Sequence, residues 1–248
     1  MNRRRKHLFD VALVTLLLTH TNLCSLFAKE SPNSDGPANA ASQSVYDEAM
    51  RILTGIHSTK YEHTTDIDEK AGRYYCDCSG FVGYVLNRTV AKEDRKGPLH
   101  NGDHRPVAAE FERHFEAAPT KPKRSDLWQR VERLEDARPG DVIAWALAVP
   151  KPNDTGHVVI LAERPVVESD GIVKVEVIDS TVLPSADLTP DKGKSGIGRR
   201  SMWFTVDKDG RPTGYIRGSR TSKPKTDSIS IGRALPGDSK VTTKRRAA

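Results

Sequence analysis

Two kinds of hydrophobic periodicity divide the sequence, and their order constrains the fold more than any other feature. In the first half, apolar residues recur every three or four positions, which predicts helices that begin at Ser44, begin around Cys78 and cover residues 107–117. The second half changes to short apolar runs separated by turn residues: "PGDVIAWAL", "HVVILAERPVV", "GIVKVEVIDS" and a hairpin, "SMWFTVDKDGRPTGYIRG", that turns near Asp209 and Gly210. Helices that precede strands favour an α+β fold with an antiparallel sheet over alternating parallel units.

The beginning of the sequence has the layout of an export signal. A basic cluster at residues 3–6 precedes a short apolar run at residues 11–18, which predicts a signal peptide over residues 1–28 and a protein in the periplasm, in the cell envelope or outside the cell. A membrane anchor is the alternative, but the run is too short and too polar for a span of about 20 residues. The Pro-, Ser- and Asn-rich residues 29–42 predict a flexible leader before one domain at residues 43–221.

The positive charge of the chain is concentrated at its two ends. The formal net charge is +6, of which residues 1–28 contribute +3 and residues 219–248 contribute +6, so the remainder carries −3. Residues 222–248 also contain few apolar side chains, which predicts a basic disordered tail. We therefore expect a monomeric domain with no nucleic-acid partner, whose tail makes at most weak contact with anionic surfaces.

Two cysteines, Cys76 and Cys78, remain after the predicted signal peptide is removed. Their spacing is awkward for a disulfide. Cys76 has three possible roles: a small buried hydrophobic side chain, a redox partner that silences Cys78, or a metal ligand. There is no second cysteine pair, and a glycine interrupts the four-residue spacing of His100 and His104, so the sequence predicts no metal site and no cofactor.

The position of Cys78 at the start of a predicted helix favours a reactive thiol. Unpaired backbone N–H groups and the helix dipole stabilise a thiolate there, which predicts a lowered thiol pKa and a nucleophilic sulfur. Asp77 is a natural N-cap, and Gly80 in the first turn leaves space for a substrate.

A nucleophilic cysteine needs a base and a group that orients that base. His157 is the best candidate base because it follows a glycine and begins an apolar strand. Asp179 is the candidate orienting group if the connection near residue 168 pairs residue 159 with residue 179. A tight two-residue turn at Asp170-Gly171 would turn Asp179 to the opposite face and make Ser180 the substitute, and the sequence does not choose between these registers.

Three segments together resemble the NlpC family of papain-like cell-wall cysteine peptidases. "CDCSGFVGYVL" is similar to the DCSGF motif of that family, and "PGDVIAW" and "GHVVI" are similar to its following turn and its histidine block, over roughly residues 44 to 182. The resemblance implies a papain-like fold in which Cys78, the nucleophile at a helix N-terminus, packs against an antiparallel sheet. It also implies that His157 is the general base and acid and that the third polar residue falls at or near Asp179.

The resemblance also implies a substrate. It suggests hydrolysis of amide bonds in peptidoglycan stem peptides, often between D-glutamate and the diamino acid, by a cysteine endopeptidase. Tyr61, Asp77 and Ser79 match the positions that hold the substrate, including its free amine. The sequence departs from the family in three ways. No Gly-Gly follows Tyr61, and a charged segment at residues 87–136 lengthens the separation of Cys78 from His157. The third polar residue is an aspartate on a late strand, where the family commonly has histidine.

Other functions fit the same residues. A non-catalytic relative would bind wall peptides without cutting them. An amidase or acyltransferase would use the same thiol and imidazole on another substrate. A secreted module could instead hold polyanions with the basic tail, in which case binding would weaken steeply with salt.

Overall fold

The computed structural model describes residues 35–90, 105–168, 171–183 and 195–237. All of these residues belong to one compact unit, residues 32–248. The predicted signal peptide, the pair His100 and His104, and the end of the predicted tail lie outside the described residues.

Three α-helices and eleven β-strands lie in the described ranges. The helices are α1 (Ala40–Gly55), α2 (Cys78–Thr89) and α3 (Ala108–Ala117). The strands are β1 (Ser58–Lys60), β2 (Asp66–Asp68), β3 (Arg73–Tyr75), β4 (Trp128–Arg130), β5 (Val142–Lys151), β6 (Asp154–Leu161), β7 (Val166–Val167), β8 (Ile172–Thr181), β9 (Gly196–Val206), β10 (Pro212–Ile216) and β11 (Ser228–Ala234).

The strands form a large sheet and a small one. The large sheet has the order β10-β9-β8-β6-β5-β11-β4, with β7 added on β8, and all its pairings are antiparallel. The small sheet has the order β1-β3-β2, in which β1 and β3 are parallel. The predicted α+β class with an antiparallel sheet is therefore confirmed, and so is the predicted start of α2. Helix α3 begins one residue after the predicted position, because Val107 is its N-cap.

The predicted start of the first helix at Ser44 is wrong. Helix α1 begins at Ala40, because the side chain of Asn39 accepts hydrogen bonds from the N–H groups of Ala41 and Ser42 at 2.8 and 3.0 Å. Asn39 is as good an N-cap as a serine, and two alanines follow it. The last residues assigned to the flexible leader, 40–42, are consequently helical, and Ser42 is fully buried.

The predicted disordered tail is also wrong over residues 228–234. These residues form β11, which pairs with β5 on one side and with β4 on the other and so lies inside the large sheet. The alternation in "SISIGRA" places Ile231 in the core, and Arg233 forms two hydrogen bonds with the fully buried Asp141 at 3.0 and 2.8 Å. The basic composition of the segment concealed a strand whose charge is neutralised inside the fold.

The large sheet buries apolar side chains on both faces. On one face, Val142, Ala144, Val158 and Ile160 pack with α1, α2 and the Phe111 and Phe115 side chains of α3. On the other face, the alternate positions of the same strands pack with residues 131–137 and with β9 and β10. Because β5 and β6 are buried on both sides, the strand that carries His157 is held rigidly.

The small sheet positions the chain just before Cys78. The N–H of Cys76 donates to the carbonyl oxygen of Lys60 at 3.1 Å, which ties the end of β3 to β1. The side chain of Thr59 accepts from the N–H of Ile197 at 2.9 Å and donates to the carbonyl oxygen of Tyr74 at 3.0 Å. The start of α2 is thus connected through β1 to strand β9 of the large sheet.

Candidate active site

Cys78 is the first residue of α2, as the sequence predicts. Asp77 caps the helix, because its Oδ1 accepts from the N–H of Gly80 at 2.8 Å. The thiol is not in a disulfide, and only 5% of the residue is exposed. It lines a pocket of about 220 Å³, which is also lined by residues 153–156 at the start of β6.

The acidity predicted for this thiol is wrong. Burial raises the pKa of Cys78 to about 12, and the negative charge of Asp77 acts in the same direction. The backbone N–H groups of Val158 and Ser79 favour the thiolate but do not overcome burial. Desolvation of a buried charge outweighs the helix dipole here, so Cys78 is a neutral thiol and needs a base before it can attack.

His157 and Asp179 form a hydrogen-bonded pair inside the sheet. The Nε2 of His157 lies 2.6 Å from Oδ2 of Asp179, and both residues are buried. The ladder between β6 and β8 pairs Ile160 with Ile178 and Leu161 with Val177. Continued by one residue, this register places residue 159 opposite residue 179, so Asp179 shares the face of His157.

Ser180, the substitute in the other register, has a different role. Its hydroxyl donates to the carbonyl oxygen of Cys76 at 2.6 Å. Cys76 is a fully buried free cysteine, and burial raises the pKa of its thiol to about 12. Among the three possible roles of Cys76, the structure supports that of a small buried hydrophobic side chain.

The charges around His157 favour a neutral ring that can accept a proton. Burial lowers the pKa of His157, and the positive charge of Arg217 lowers it further. Burial opposes ionisation of Asp179, but Arg200 and His157 outweigh burial and hold the pKa of Asp179 below its ordinary value. Because Nε2 donates to the Asp179 carboxylate, Nδ1 is the nitrogen left for proton transfer.

The thiol and the imidazole approach the same strand from its two faces. Cys78 belongs to the core beside α2, whereas the ring of His157 lies 5.1 Å from the ring of Trp145 in the core of the other face. The ladder between β6 and β8 pairs residues 160 and 161 with residues 178 and 177, so at His157 the strands are joined through side chains. The thiol reaches the strand there, next to the N–H of Val158, one residue after His157.

Gly156 determines how the chain enters β6. Its φ is +142°, and a Cβ at this position would lie 1.9 Å from the carbonyl oxygen of Trp145. Gly156 also lines the pocket. Only glycine allows β5 and β6 to approach this closely directly before His157.

Tyr61 lines the pocket, and its phenol lies close enough to Cys78 for the two side chains to interact electrostatically. Burial raises the pKa of its phenol, and the negative charge of Asp77 raises it further. The phenol is therefore protonated at neutral pH and can donate a hydrogen bond into the pocket. Its ring makes an edge contact with His63 at a centroid distance of 5.4 Å.

Asp77 and Ser79 also line the pocket, but they are bound to Arg105, which the sequence analysis did not single out. Arg105 donates to both carboxylate oxygens of Asp77, with Nη2 at 3.0 Å from Oδ2, and its Nη1 donates to the Ser79 hydroxyl at 3.0 Å. The Ser79 hydroxyl in turn donates to Asp77 at 3.0 Å. The two residues expected to hold a substrate amine thus already hold a cation of the chain itself.

Arg200 is a second residue that the sequence analysis missed. Its Nε donates to Oδ1 of Asp179 at 2.5 Å, and its Nη1 donates to the carbonyl oxygen of Leu183 at 3.1 Å. The alternation of β9 could have identified Arg200, because Arg200, Met202 and Phe204 occupy every second position on the buried side of this strand. A charged residue on the buried side of a strand needs a buried partner of opposite charge.

Comparison of the chain with protein families, with curated proteins and with solved structures finds no match. Within the described residues, no helix has the length and apolar character needed to cross a bilayer. The same residues contain no cluster of three or more side chains arranged to hold a metal ion.

Proposed function

We propose that the protein is an exported cysteine peptidase of the NlpC type, with a papain-like arrangement, that hydrolyses amide bonds in peptidoglycan stem peptides. One observation carries this proposal more than any other: a cysteine that begins a helix contacts the strand residue next to a histidine whose ring is oriented by a buried aspartate. This combination of nucleophile, base and orienting group is the one that thiol hydrolysis requires.

The first half of the reaction transfers the substrate's acyl group to sulfur. Nδ1 of His157 takes the proton of the Cys78 thiol as the sulfur attacks the amide carbon, and the electron pair of the C=O bond moves to oxygen. Because the ring and the thiol lie on different faces of β6, this transfer requires the imidazole to reach the pocket around the glycine that precedes it. The backbone N–H of Cys78 and the phenol of Tyr61 donate hydrogen bonds to this oxyanion. When the intermediate collapses, the C–N bond breaks, the amine takes the proton from Nδ1, and a thioester remains.

The second half releases the product acid. Nδ1 of His157 removes a proton from water as the water attacks the thioester carbon, and the C–S bond then breaks. The sulfur recovers the proton from the imidazole, which returns both groups to their neutral forms. Asp179 and Arg200 act through His157: they hold the ring in the tautomer with Nε2 protonated.

The experiment is digestion of purified muropeptides with mass detection of the products. The protein should release shortened stem peptides, and Cys78→Ala should release none above background. Cys76→Ala is the matched control, because it removes a buried thiol two positions away that makes no contact with the pocket. Equal product from the wild-type protein and Cys78→Ala would contradict a peptidase.

A second function, binding of wall peptides without cleavage, is favoured by the raised pKa of the Cys78 thiol. A thiol that stays neutral and buried forms part of a binding pocket without reacting. In that case Cys78→Ala leaves peptide affinity unchanged, and no product appears with any muropeptide. The same digestion, combined with calorimetric titration of the peptides, therefore separates the two functions.

A further inference from the structure

Asp77 has no acceptor capacity left for a substrate. Its Oδ1 accepts from the N–H of Gly80, from the hydroxyl of Ser79 and from Nη1 of Arg105. Its Oδ2 accepts from Nη2 of Arg105 at 3.0 Å and lies 3.4 Å from Nδ1 of His63. A carboxylate offers about four lone-pair sites, and these contacts fill them.

The hydrogen-bond donors of Arg105 are likewise almost all used within the chain. Nη1 donates to Asp77 and Ser79, while Nη2 donates to Asp77 and, at 3.2 Å, to the carbonyl oxygen of His63. Four of the five guanidinium N–H groups are therefore used within the chain. The Asp77 side chain is 8% exposed and that of Arg105 is 35% exposed, so the guanidinium covers the carboxylate on the pocket side.

We propose that Arg105 sets the substrate specificity of the Cys78 site by occupying the cation position at Asp77. This inference rests on the proposed function. The charge of Asp77 is balanced only while Arg105 stays there, and an incoming ammonium group would have to displace a bidentate ion pair. The site accordingly selects peptides whose amino end is acylated or lies within a longer chain, and it disfavours peptides with a free amino end at this position.

The charge preference of the pocket can be measured without any substrate. Methanethiosulfonate reagents that carry an ammonium group or an uncharged group transfer their thio group to Cys78 and release sulfinate, and the labelled peptide is quantified by mass spectrometry. The ratio of the ammonium rate to the uncharged rate cancels the ionised fraction of the thiol. This ratio therefore reports the charge of the surrounding wall.

Arg105→Gln should raise this ratio at least about tenfold, because a buried carboxylate then faces the reagent at short range. Arg105→Lys keeps the charge and should leave the ratio within about twofold of the wild-type value. Arg105→Gln combined with Asp77→Asn should abolish the gain, and asparagine preserves the helix cap. A ratio that Arg105→Gln leaves unchanged, in a variant with the wild-type near-ultraviolet circular dichroism spectrum, overturns the proposal.

Matched stem peptides with a free or an acetylated amino end connect this charge preference to turnover. The wild-type protein should have the higher kcat/KM on the acetylated peptide, and Arg105→Gln should shift the ratio toward the free amine by about tenfold or more. A wild-type preference for the free amine overturns the proposal. If neither peptide is cleaved, the proposed function fails, whereas the reagent ratio still decides the role of Arg105.

Discussion

Replacement of Asp179 by asparagine tests the buried charge network that supports His157. Asp179 is fully buried and accepts from His157 at 2.6 Å and from Arg200 at 2.5 Å. In Asp179→Asn, the amide oxygen can still accept from Nε2 of His157. The amide NH₂ group then faces the guanidinium of Arg200, which loses its carboxylate.

The expected loss of stability follows from the burial of Arg200. Removal of one member of a buried ion pair costs about 3–5 kcal/mol, since the remaining charge is left without compensation. Arg200 keeps the carbonyl oxygens of Leu183 and Gly196 as acceptors at 3.1 and 3.4 Å, and 8% of its side chain is exposed. These acceptors favour the lower end of the range, so we expect Asp179→Asn to lower the free energy of unfolding by about 3 kcal/mol.

A double-mutant cycle isolates this effect. Urea unfolding at neutral pH would compare the wild-type protein, Asp179→Asn, Arg200→Met and the double variant. The double variant removes the uncompensated charge, so it should be more stable than the sum of the single changes predicts, by about 2 kcal/mol. Strict additivity, or an Asp179→Asn variant within about 0.5 kcal/mol of the wild type, would refute the reasoning.

The pH dependence of the same cycle gives an independent check. The folded protein holds the pKa of Asp179 below its ordinary value of 3.8. The stability contributed by its carboxylate is therefore fully present above this ordinary pKa and is lost as the pH falls through the lower, folded pKa. The difference between the wild-type protein and Asp179→Asn should be constant near neutrality and should shrink in acid below about pH 4.

Four further outcomes follow from the structure. Gly156→Ala should abolish activity and lower the thermal midpoint, because its Cβ would lie 1.9 Å from a carbonyl oxygen; an active, equally stable variant contradicts the close approach. Alkylation of Cys78 by iodoacetamide should still accelerate above about pH 9, since burial raises the thiol pKa to about 12; a plateau near pH 8 would indicate a thiolate. The acid limb of kcat/KM should have its midpoint below 6.5, because burial lowers the pKa of His157, and a higher midpoint would assign the limb to another group. Deletion of residues 238–248 should leave a soluble, cooperatively unfolding protein, whereas deletion of residues 222–248 removes β11 and should give insoluble protein; a soluble product of the longer deletion would contradict the internal position of that strand.

Local sequence signals predicted the elements that form the candidate site. The apolar period and the Asp77 cap predicted the start of α2, and the apolar run at His157 predicted a buried strand, although this strand begins at Asp154 rather than at His157. These features depend on residues within one helical turn or one strand, so the sequence contains the whole of their cause. The charge of a segment was a poorer guide, because β11 is basic and yet internal.

The state of the thiol could not be predicted from its neighbours in sequence. The helix dipole and the cap are local, whereas burial depends on which elements pack over Cys78. Arg105 lies 27 positions after Cys78, and the Val158 N–H comes from the other half of the chain. Each of these distant groups changes the electrostatics of the pocket only after the chain has folded.

The sequence by itself determined the α+β class, the cysteine at the start of a helix, the histidine on a buried strand, and Asp179 as one of two possible partners. The tertiary structure decided that Asp179 is the hydrogen-bond partner of His157. It also decided that Arg200 and Arg105 neutralise Asp179 and Asp77, and that β11, in the basic segment near the end of the sequence, lies inside the large sheet. The physical reason is that periodicity and caps act over a few residues, whereas strand register, burial and ion pairing arise only when distant segments exclude water together.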